Sequence, residues 1–399
     1  MKKILVINSG SSSLKFQLIS MPAETILALG LVERIGMEDA RYSFESLKNK
    51  DTRVLKIKDH HQALELAAVF LLDIDSGVIS SPKEIDAIGH RVVHGGKHFS
   101  DTTLITKEIK EKIHQLASLA PLHNPPNLVG IEVAEKIFPD AKQVAVFDTA
   151  FHQEIPEKAH RYAIPKELYE KNQIRLYGFH GTSHKYVSEK ALTYLNNPKA
   201  KIIVMHLGNG CSATAINAGK SVDHSLGFGP LTGLVMGTRS GDIDPAIILY
   251  LMETKGYSYQ EISNLLNKKS GMLGLTGFSD MREIQKGHEE GNPDCTIALE
   301  MNAYRIKKYI GAYAAAMNGL DALVFTAGIG ENSSILREMV CYEMEFLGIE
   351  LQPEKNNSKD KGIREIQSDG SRAKILIIPT NEELEIAKQS FELISQTDK

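Results

Sequence analysis

One short pattern occurs twice in this chain, and it restricts the fold more than any other feature. Lys3-Ile4-Leu5-Val6-Ile7 runs into Asn8-Ser9-Gly10-Ser11-Ser12-Ser13 and then Leu14-Lys15-Phe16-Gln17-Leu18. Lys201-Ile202-Ile203-Val204-Met205 runs into His206-Leu207-Gly208-Asn209-Gly210-Cys211 and then Ser212-Ala213-Thr214-Ala215-Ile216. Each copy reads as an apolar strand, a small-residue turn and a second, alternating strand. Lys3/Lys201, Ile4/Ile202, Val6/Val204 and Gly10/Gly208 fall at one constant offset. A fainter pair follows in the same order: Ile85-Asp86-Ala87-Ile88 before Gly89, and Leu320-Asp321-Ala322-Leu323 before Val324. Two pairs in one order predict gene-duplicated halves, each a mixed sheet flanked by helices, with a short hinge near residue 150.

At 399 residues two domains are the default expectation. A 42% hydrophobic and 24% charged composition is that of a globular protein. The net charge of −4 is spread along the chain, and no basic stripe suggests a nucleic-acid partner. Cys211, Cys295 and Cys341 are odd in number and far apart, which suits a reducing compartment and neither a disulfide framework nor a thiolate metal site. Four apolar residues, Ile4 to Ile7, are far short of a signal-peptide core, and the longest apolar stretch, 66–72, is far short of a membrane span. A cytoplasmic protein without a membrane partner is expected.

A Gly/Ser turn after a strand lets the backbone approach a phosphate and point N–H groups at it. Lys15 on the outgoing strand places a positive charge beside the same phosphates. A plain β-hairpin is the competing reading of one such turn; its repetition, with a third glycine turn further on, favours a nucleotide. That third turn, Phe325-Thr326-Ala327-Gly328-Ile329-Gly330-Glu331-Asn332, is expected to lead a strand into the N-terminus of a helix over 334–346. Walker A is absent, and Ser333 stands where a dinucleotide fingerprint needs its third glycine.

Several charged and histidine clusters remain. Arg91, among β-branched residues before Gly95-Gly96, reads as an anion clamp, and Arg239 in Gly237-Thr238-Arg239-Ser240-Gly241-Asp242 as a second one on a flexible loop. In Gly178-Phe179-His180-Gly181-Thr182-Ser183-His184, Thr182 is expected to cap a helix, leaving His180 facing a site and His184 structural. The spacing of His180 and His184 lacks the Glu of a zinc-binding H-E-x-x-H helix. Asp148, ending the strand before Thr149, reads equally as a turn cap or a site carboxylate. Thr380 and Glu383 fit a capping box, which leaves Glu382 as the candidate carboxylate for a magnesium ion. Asp244-Pro245 predicts a helix start, Gly256 its end, and 356–372 reads as a surface loop.

With these segments in view, the chain resembles the acetate kinase family over essentially its full length. The resemblance is carried by 6–15, 89–96, Ala120-Pro121-Leu122-His123-Asn124-Pro125, 147–152, 178–184, 206–210, 236–245, 328–332 and 380–383. It implies an α/β fold of two duplicated actin-like (ribonuclease-H-like) domains with ATP in a cleft between them. Their expected limits are 1–150, completed by a C-terminal helix at 383–399, and a nucleotide-binding and dimerisation domain at 151–382. It further implies reversible transfer of the ATP γ-phosphoryl group to acetate, giving acetyl phosphate and ADP, with Mg²⁺ and as a homodimer.

Carried over by residue, the resemblance implies Arg91 on the acetate carboxylate, with Arg239 and His180 on the transferring oxygens. It implies Asp148 orienting an arginine or a magnesium-bound water, a position the family labels an acid/base, and Asn8 with Glu382 holding Mg²⁺. Val93, Leu122, Phe179 and Pro230 would form the methyl pocket, with His123 near the carboxylate or phosphate. Lys15, 206–210 (His206, Leu207, Gly208, Asn209, Gly210), 280–282 (Asp280, Met281, Arg282) and 328–332 (Gly328, Ile329, Gly330, Glu331, Asn332) would face the nucleotide. The segment Thr276-Gly277-Phe278-Ser279-Asp280-Met281-Arg282 is one residue shorter than the commonest family form. The chemistry suits these residue types. A carboxylate acceptor is already ionised at neutral pH, so cations rather than a general base are wanted. Propionate or butyrate as acceptor, or an ATP-binding protein without catalysis, are the alternatives.

Overall fold

The structure, a computed structural model, describes residues 1–10, 12–73, 77–121 and 123–397. The chain divides into two compact units, Met1–Phe151 with Asn381–Lys399, and His152–Thr380.

The first unit is built on strands β1 (Lys2–Ser9), β2 (Ser13–Met21), β3 (Thr25–Glu33), β4 (Ala40–Ser46), β5 (Lys50–Leu55), β6 (Ala87–Val92), β7 (Thr103–Leu104) and β8 (Lys142–Phe147). They lie in the order β5-β4-β3-β2-β1-β6-β8-β7. β1 is antiparallel to β2 and parallel to β6, which is parallel to β8. Ile4 to Ile7 of β1 are all buried, as a central strand covered on both faces requires of a continuous apolar run. The helices His60–Leu72 and Asn124–Ile137 pack together, and the C-terminal helix Glu382–Thr397 packs on β1, β6 and β8.

The second unit repeats this plan with β9 (Lys201–Leu207), β10 (Cys211–Asn217), β11 (Lys220–His224), β12 (Ala322–Thr326), β13 (Arg364–Glu365) and β14 (Lys374–Ile377), ordered β11-β10-β9-β12-β14-β13. Five strands therefore correspond, β3-β2-β1-β6-β8 to β11-β10-β9-β12-β14, with the same sense at each pairing. The registers also agree: Ile4 faces Ala87 as Ile202 faces Ala322. So does the polar closure at the strand starts. The Lys3 N–H donates to Asp86 Oδ2 at 2.7 Å, and the Lys201 N–H to Asp321 Oδ2 at 2.7 Å. The fainter of the two sequence pairs thus belongs to the duplication as firmly as the stronger one.

Local expectations divide. Asp244 caps Pro245–Lys255, and Gly256 ends it in the left-handed region. The segment expected as one helix over 334–346 is instead Ser334–Cys341 followed by a single turn, Glu345–Leu347, before Gly348. Between 356 and 372 the chain is not a plain surface loop. Asn356 is buried, Arg337 donates to its side chain and carbonyl, and β13 pairs with β14. Among the described residues, no helix is long and apolar enough to cross a membrane.

Candidate active site

In the first unit the end of β6 and the residue just after β8 bring Arg91 and Asp148 together. Arg91 faces Val146 across the parallel pair, and the Asp148 N–H continues the ladder to Val92 O at 3.0 Å. Arg91 Nε lies 3.0 Å from both Asp148 oxygens and its Nη2 2.6 Å from Oδ2. Its third nitrogen, Nη1, is 3.6 Å from Glu382 Oε2. Burial opposes the Arg91 charge, but Asp148, Glu382 and Glu383 outweigh it and hold the guanidinium firmly protonated. Burial raises the Glu382 carboxyl above the usual carboxylate range, with Arg91 pulling the other way. The Lys15 ammonium sits 2.6 Å from Glu383 Oε1. Three carboxylates thus face two cations.

The backbone beyond Arg91 is held by three side chains. Val93 N–H donates to Asn127 Oδ1 at 3.1 Å, His94 N–H to Asn124 Oδ1 at 3.0 Å, and Gly95 N–H to Thr149 Oγ1 at 2.9 Å. Asn127 Nδ2 also donates to Ser9 O at 2.7 Å, linking this segment to the end of β1, where Asn8 lies half-buried. His123 is half-buried just before the Asn124–Ile137 helix. Two expected positions, Ser11 and the pocket residue Leu122, lie outside the described residues.

The capping box expected of Thr380 and Glu383 does not form. Asn381 Oδ1 accepts the Leu384 N–H at 3.0 Å instead. That Asn cap, shifted one residue along, leaves Glu383 to turn inward to Lys15, while the Thr380 hydroxyl bonds Ser183 Oγ at 2.8 Å.

In the second unit His180, not Thr182, stands at the N-cap of the helix Gly181–Leu195, at φ +56° in the left-handed region. Thr182 is inside that helix and buried. His180 keeps this uncommon conformation because its neighbour is clamped. His224 Nε2 accepts the Phe179 N–H at 3.1 Å, and His152 Nε2 lies 3.0 Å from Phe179 O. Gly178 has φ +75°, and a Cβ there would meet the His152 ring at 2.7 Å. The His180 ring stacks on His206, centroids 4.5 Å apart, and its Nδ1 lies 2.9 Å from Ser212 Oγ.

Arg239 Nη1 donates to Pro230 O at 2.8 Å, so two expected site residues are in contact. Burial lowers the Arg239 pKa. Its loop, expected to be flexible, is laced in place. Gly237 N–H donates to Asn209 O, Met272 N–H to Met236 O and Ser270 N–H to Thr238 O. Gly210 is the point of convergence: the space a Cβ would fill there is 3.4 Å from His180 Nε2 and 3.9 Å from Arg239 Nη1. Two cationic or N–H-bearing side chains are thus aimed at the mouth of the repeated turn.

The remaining nucleotide candidates are spread over this unit. Gly208 N–H closes the turn on Gly210 O at 3.1 Å, with Asn209 exposed at its tip. Gly328 to Asn332 form not an open turn but the short helix Ala327–Asn332. Glu331 Oε1 there accepts the Thr380 N–H at 3.3 Å, and burial raises its pKa. Asp280 caps the helix Met281–Glu289 and pairs with the exposed Arg282, while Met281 is buried. Sequence reasoning passed over Ser212, His224 and Asn127. Asn127 carries a signal in Asn124-Pro-Pro-Asn127; Ser212 is one small residue of an alternating strand and carries none.

The acetokinase family model matches residues 3–388. The acetate kinase of Flavobacterium johnsoniae is 57% identical over 392 residues, 98% of this chain and 99% of that protein. A crystal structure of Porphyromonas gingivalis acetate kinase matches with TM-score 0.93 at 45% identity, covering 99% of this chain and 100% of that one. A propionate kinase from Francisella tularensis matches with TM-score 0.93 at 45% identity, covering 98% of this chain and 100% of that one. Agreement of this extent along the whole chain, with Arg91, Asp148, His180 and Arg239 ordered as described, makes this protein an enzyme of the acetokinase family.

Proposed function

We propose that this enzyme transfers the γ-phosphoryl group of ATP to the carboxylate of acetate, reversibly, giving acetyl phosphate and ADP. The observation that carries the reading is the convergence of His180 Nε2 and Arg239 Nη1 at Gly210. Phosphoryl transfer has little covalent chemistry for side chains to perform, and its barrier is lowered by fixed positive charge and N–H donors around the equatorial oxygens. An anchored arginine and a histidine on a clamped backbone meet that need without reorganising.

Arg91 would receive the acceptor carboxylate. Its Nε/Nη2 edge is already spent on Asp148, so Nη1 is the edge for acetate, and Asp148 fixes the guanidinium rather than moving a proton. Val93, Phe179 and Pro230 are the proposed surroundings of the methyl group, with His123 near the carboxylate or phosphate. In-line attack by a carboxylate oxygen on the γ-phosphorus forms the new P–O bond as the bond to ADP breaks, and no proton has to be removed from the nucleophile. The Asn8 amide oxygen and Glu382 carboxylate are hard oxygen donors of the kind Mg²⁺ takes alongside phosphates, and the excess of carboxylates over cations around Arg91 favours a cation there. When bound, Mg²⁺ would offset phosphate charge. Lys15, 206–210, 280–282 and 328–332 are the proposed nucleotide contacts.

Propionate is a second acceptor to weigh, because the Francisella tularensis propionate kinase is as similar in structure as the Porphyromonas gingivalis enzyme. A methylene changes discrimination by only about 1–3 kcal/mol. A hydroxamate assay for the acyl phosphate, run with acetate, propionate and butyrate, decides. Acetate should give the highest kcat/KM, and a higher value for either longer acid overturns the assignment. A cytoplasmic location fits the three free, buried cysteines. A homodimer fits the helix Pro245–Lys255, none of whose residues is buried.

A further inference from the structure

We infer that Ser212 is a positioning residue that fixes the His180 imidazole as its Nε2–H tautomer, with His184 donating the hydrogen bond that orients the Ser212 hydroxyl. The inference deepens the proposed role of His180 in phosphoryl transfer and rests on that reading for its catalytic consequence.

Ser212, on β10, is fully buried between two histidines. Its Oγ is 2.9 Å from His180 Nδ1 and 2.7 Å from His184 Nε2. A hydroxyl has one proton and two lone pairs, so it donates to at most one ring; with both rings donating to it, the buried Ser212 O–H would find no acceptor among these contacts, so one ring accepts and the other donates. His184 decides which. Its second nitrogen, Nδ1, is buried with no hydrogen-bond partner. Were Nε2 the acceptor, the neutral ring would carry its proton on Nδ1 as an orphaned buried N–H, the rare and costly state. With the proton on Nε2, His184 donates to Ser212 and leaves only a bare lone pair behind.

A charged His184 is disfavoured as well. The ring is fully buried, and His152 and His206 lie beside it, centroids 5.8 and 6.0 Å away. Burial with these neighbours pushes its pKa well below the usual value.

Ser212 therefore has its own proton left for His180 Nδ1. That nitrogen is an acceptor, and the ring proton sits on Nε2, the atom beside Gly210 where Arg239 Nη1 also points. A charged His180 would donate to Ser212 alongside His184, and the buried Ser212 hydroxyl would then be left with no acceptor for its own proton among these contacts. The arrangement thus presents a neutral N–H donor to the phosphoryl oxygens, leaving the positive charge to Arg239.

The test is tautomer-resolved NMR on the full-length protein with ¹⁵N-labelled histidine rings, His180 being assigned by the signals lost in His180→Gln. At neutral pH the wild type should show an unprotonated Nδ1 and a protonated Nε2; the reverse tautomer, or a charged ring, overturns the inference. Ser212→Ala should turn His180 into a tautomer mixture and lower kcat roughly tenfold while both KM values stay within about twofold. An unchanged His180 spectrum in that variant also overturns it. His184→Gln, whose amide N–H can still donate to Ser212, should keep the wild-type His180 tautomer; its loss counts against the relay even if Ser212→Ala fails to fold. A wild type with the expected tautomer whose His180→Gln variant turns over normally would instead sink the proposed role of His180 and leave the wiring standing.

Discussion

Arg91 already faces carboxylates on two of its edges, and this changes what its removal means. Asp148 is only 1% exposed and spends both oxygens on Arg91. Arg91→Ala therefore strips a binding group and also removes the cation paired with a buried carboxylate, which costs roughly 3 kcal/mol. The single variant should lose both activity and stability. Arg91→Ala/Asp148→Asn also removes the buried negative charge and should regain most of the stability in urea denaturation while staying inactive. Restored turnover in the double variant would rule Arg91 out as the acceptor's ligand. The two neighbouring glutamates should separate as well. Glu382→Ala should raise the Mg²⁺ concentration needed for half-maximal activity, whereas Glu383→Ala, by releasing Lys15, should raise KM for ATP. Titrations of Mg²⁺ and of ATP distinguish them, and an equal effect of both variants on Mg²⁺ would remove the metal role from Glu382 alone.

Strands were more legible than helix ends, for a physical reason. Central strands buried on both faces need unbroken apolar runs, which Ile4–Ile7 and Ile202–Met205 display directly. Helix starts depend on which of several adjacent polar groups takes the free N–H groups: at 380–384 Asn381 takes the place of the expected Thr380, and at 180–182 the helix starts before the expected Thr182 with no side-chain cap. Close packing between elements left no mark at all. A Cβ on Gly89 of β6 would meet Ser390 Oγ at 2.6 Å and Ile386 Cγ2 at 2.7 Å on the C-terminal helix. Gly89→Ala should consequently cost about 1–3 kcal/mol by overpacking, read as a lower urea midpoint. On β11, burial raises the Asp223 carboxyl to about 6, against its hydrogen bond from the His224 N–H. The folded state therefore holds this proton more tightly than the unfolded chain. Asp223 costs nothing below its unfolded pKa, progressively more as the pH rises toward 6, and a constant amount above it. Asp223→Asn should stabilise the protein by on the order of 1 kcal/mol at pH 7, with the gain shrinking below pH 6. A gain that grew on acidification would contradict this.

For the molecule as a whole, the duplication supplies two copies of one strand order, and the proposed chemistry lies where the copies differ. By register Arg91 of β6 corresponds to Thr326 of β12, because Ala87 and Ala322 occupy equivalent places beside β1 and β9. Arg91 and Asp148 were each legible singly, as a charge within or at the end of an apolar run. Their pairing was not, since it depends on the register of two strands far apart in sequence. The helix Pro245–Lys255 poses the remaining whole-molecule question. It carries Ile247, Ile248, Leu249, Tyr250, Leu251 and Met252, yet no residue of it is buried, and Leu249 is 59% exposed. An apolar, nearly uncharged face of this kind suits a protein contact, and in the proposed homodimer a second copy of the same chain would meet it with an identical apolar face about a two-fold axis. Sedimentation velocity should show a dimer for the wild type. Leu249→Glu, which forces two charges into the same apolar contact, should shift it to monomer with each unit still folded by circular dichroism. A dimer undisturbed by Leu249→Glu would move the interface elsewhere on the surface.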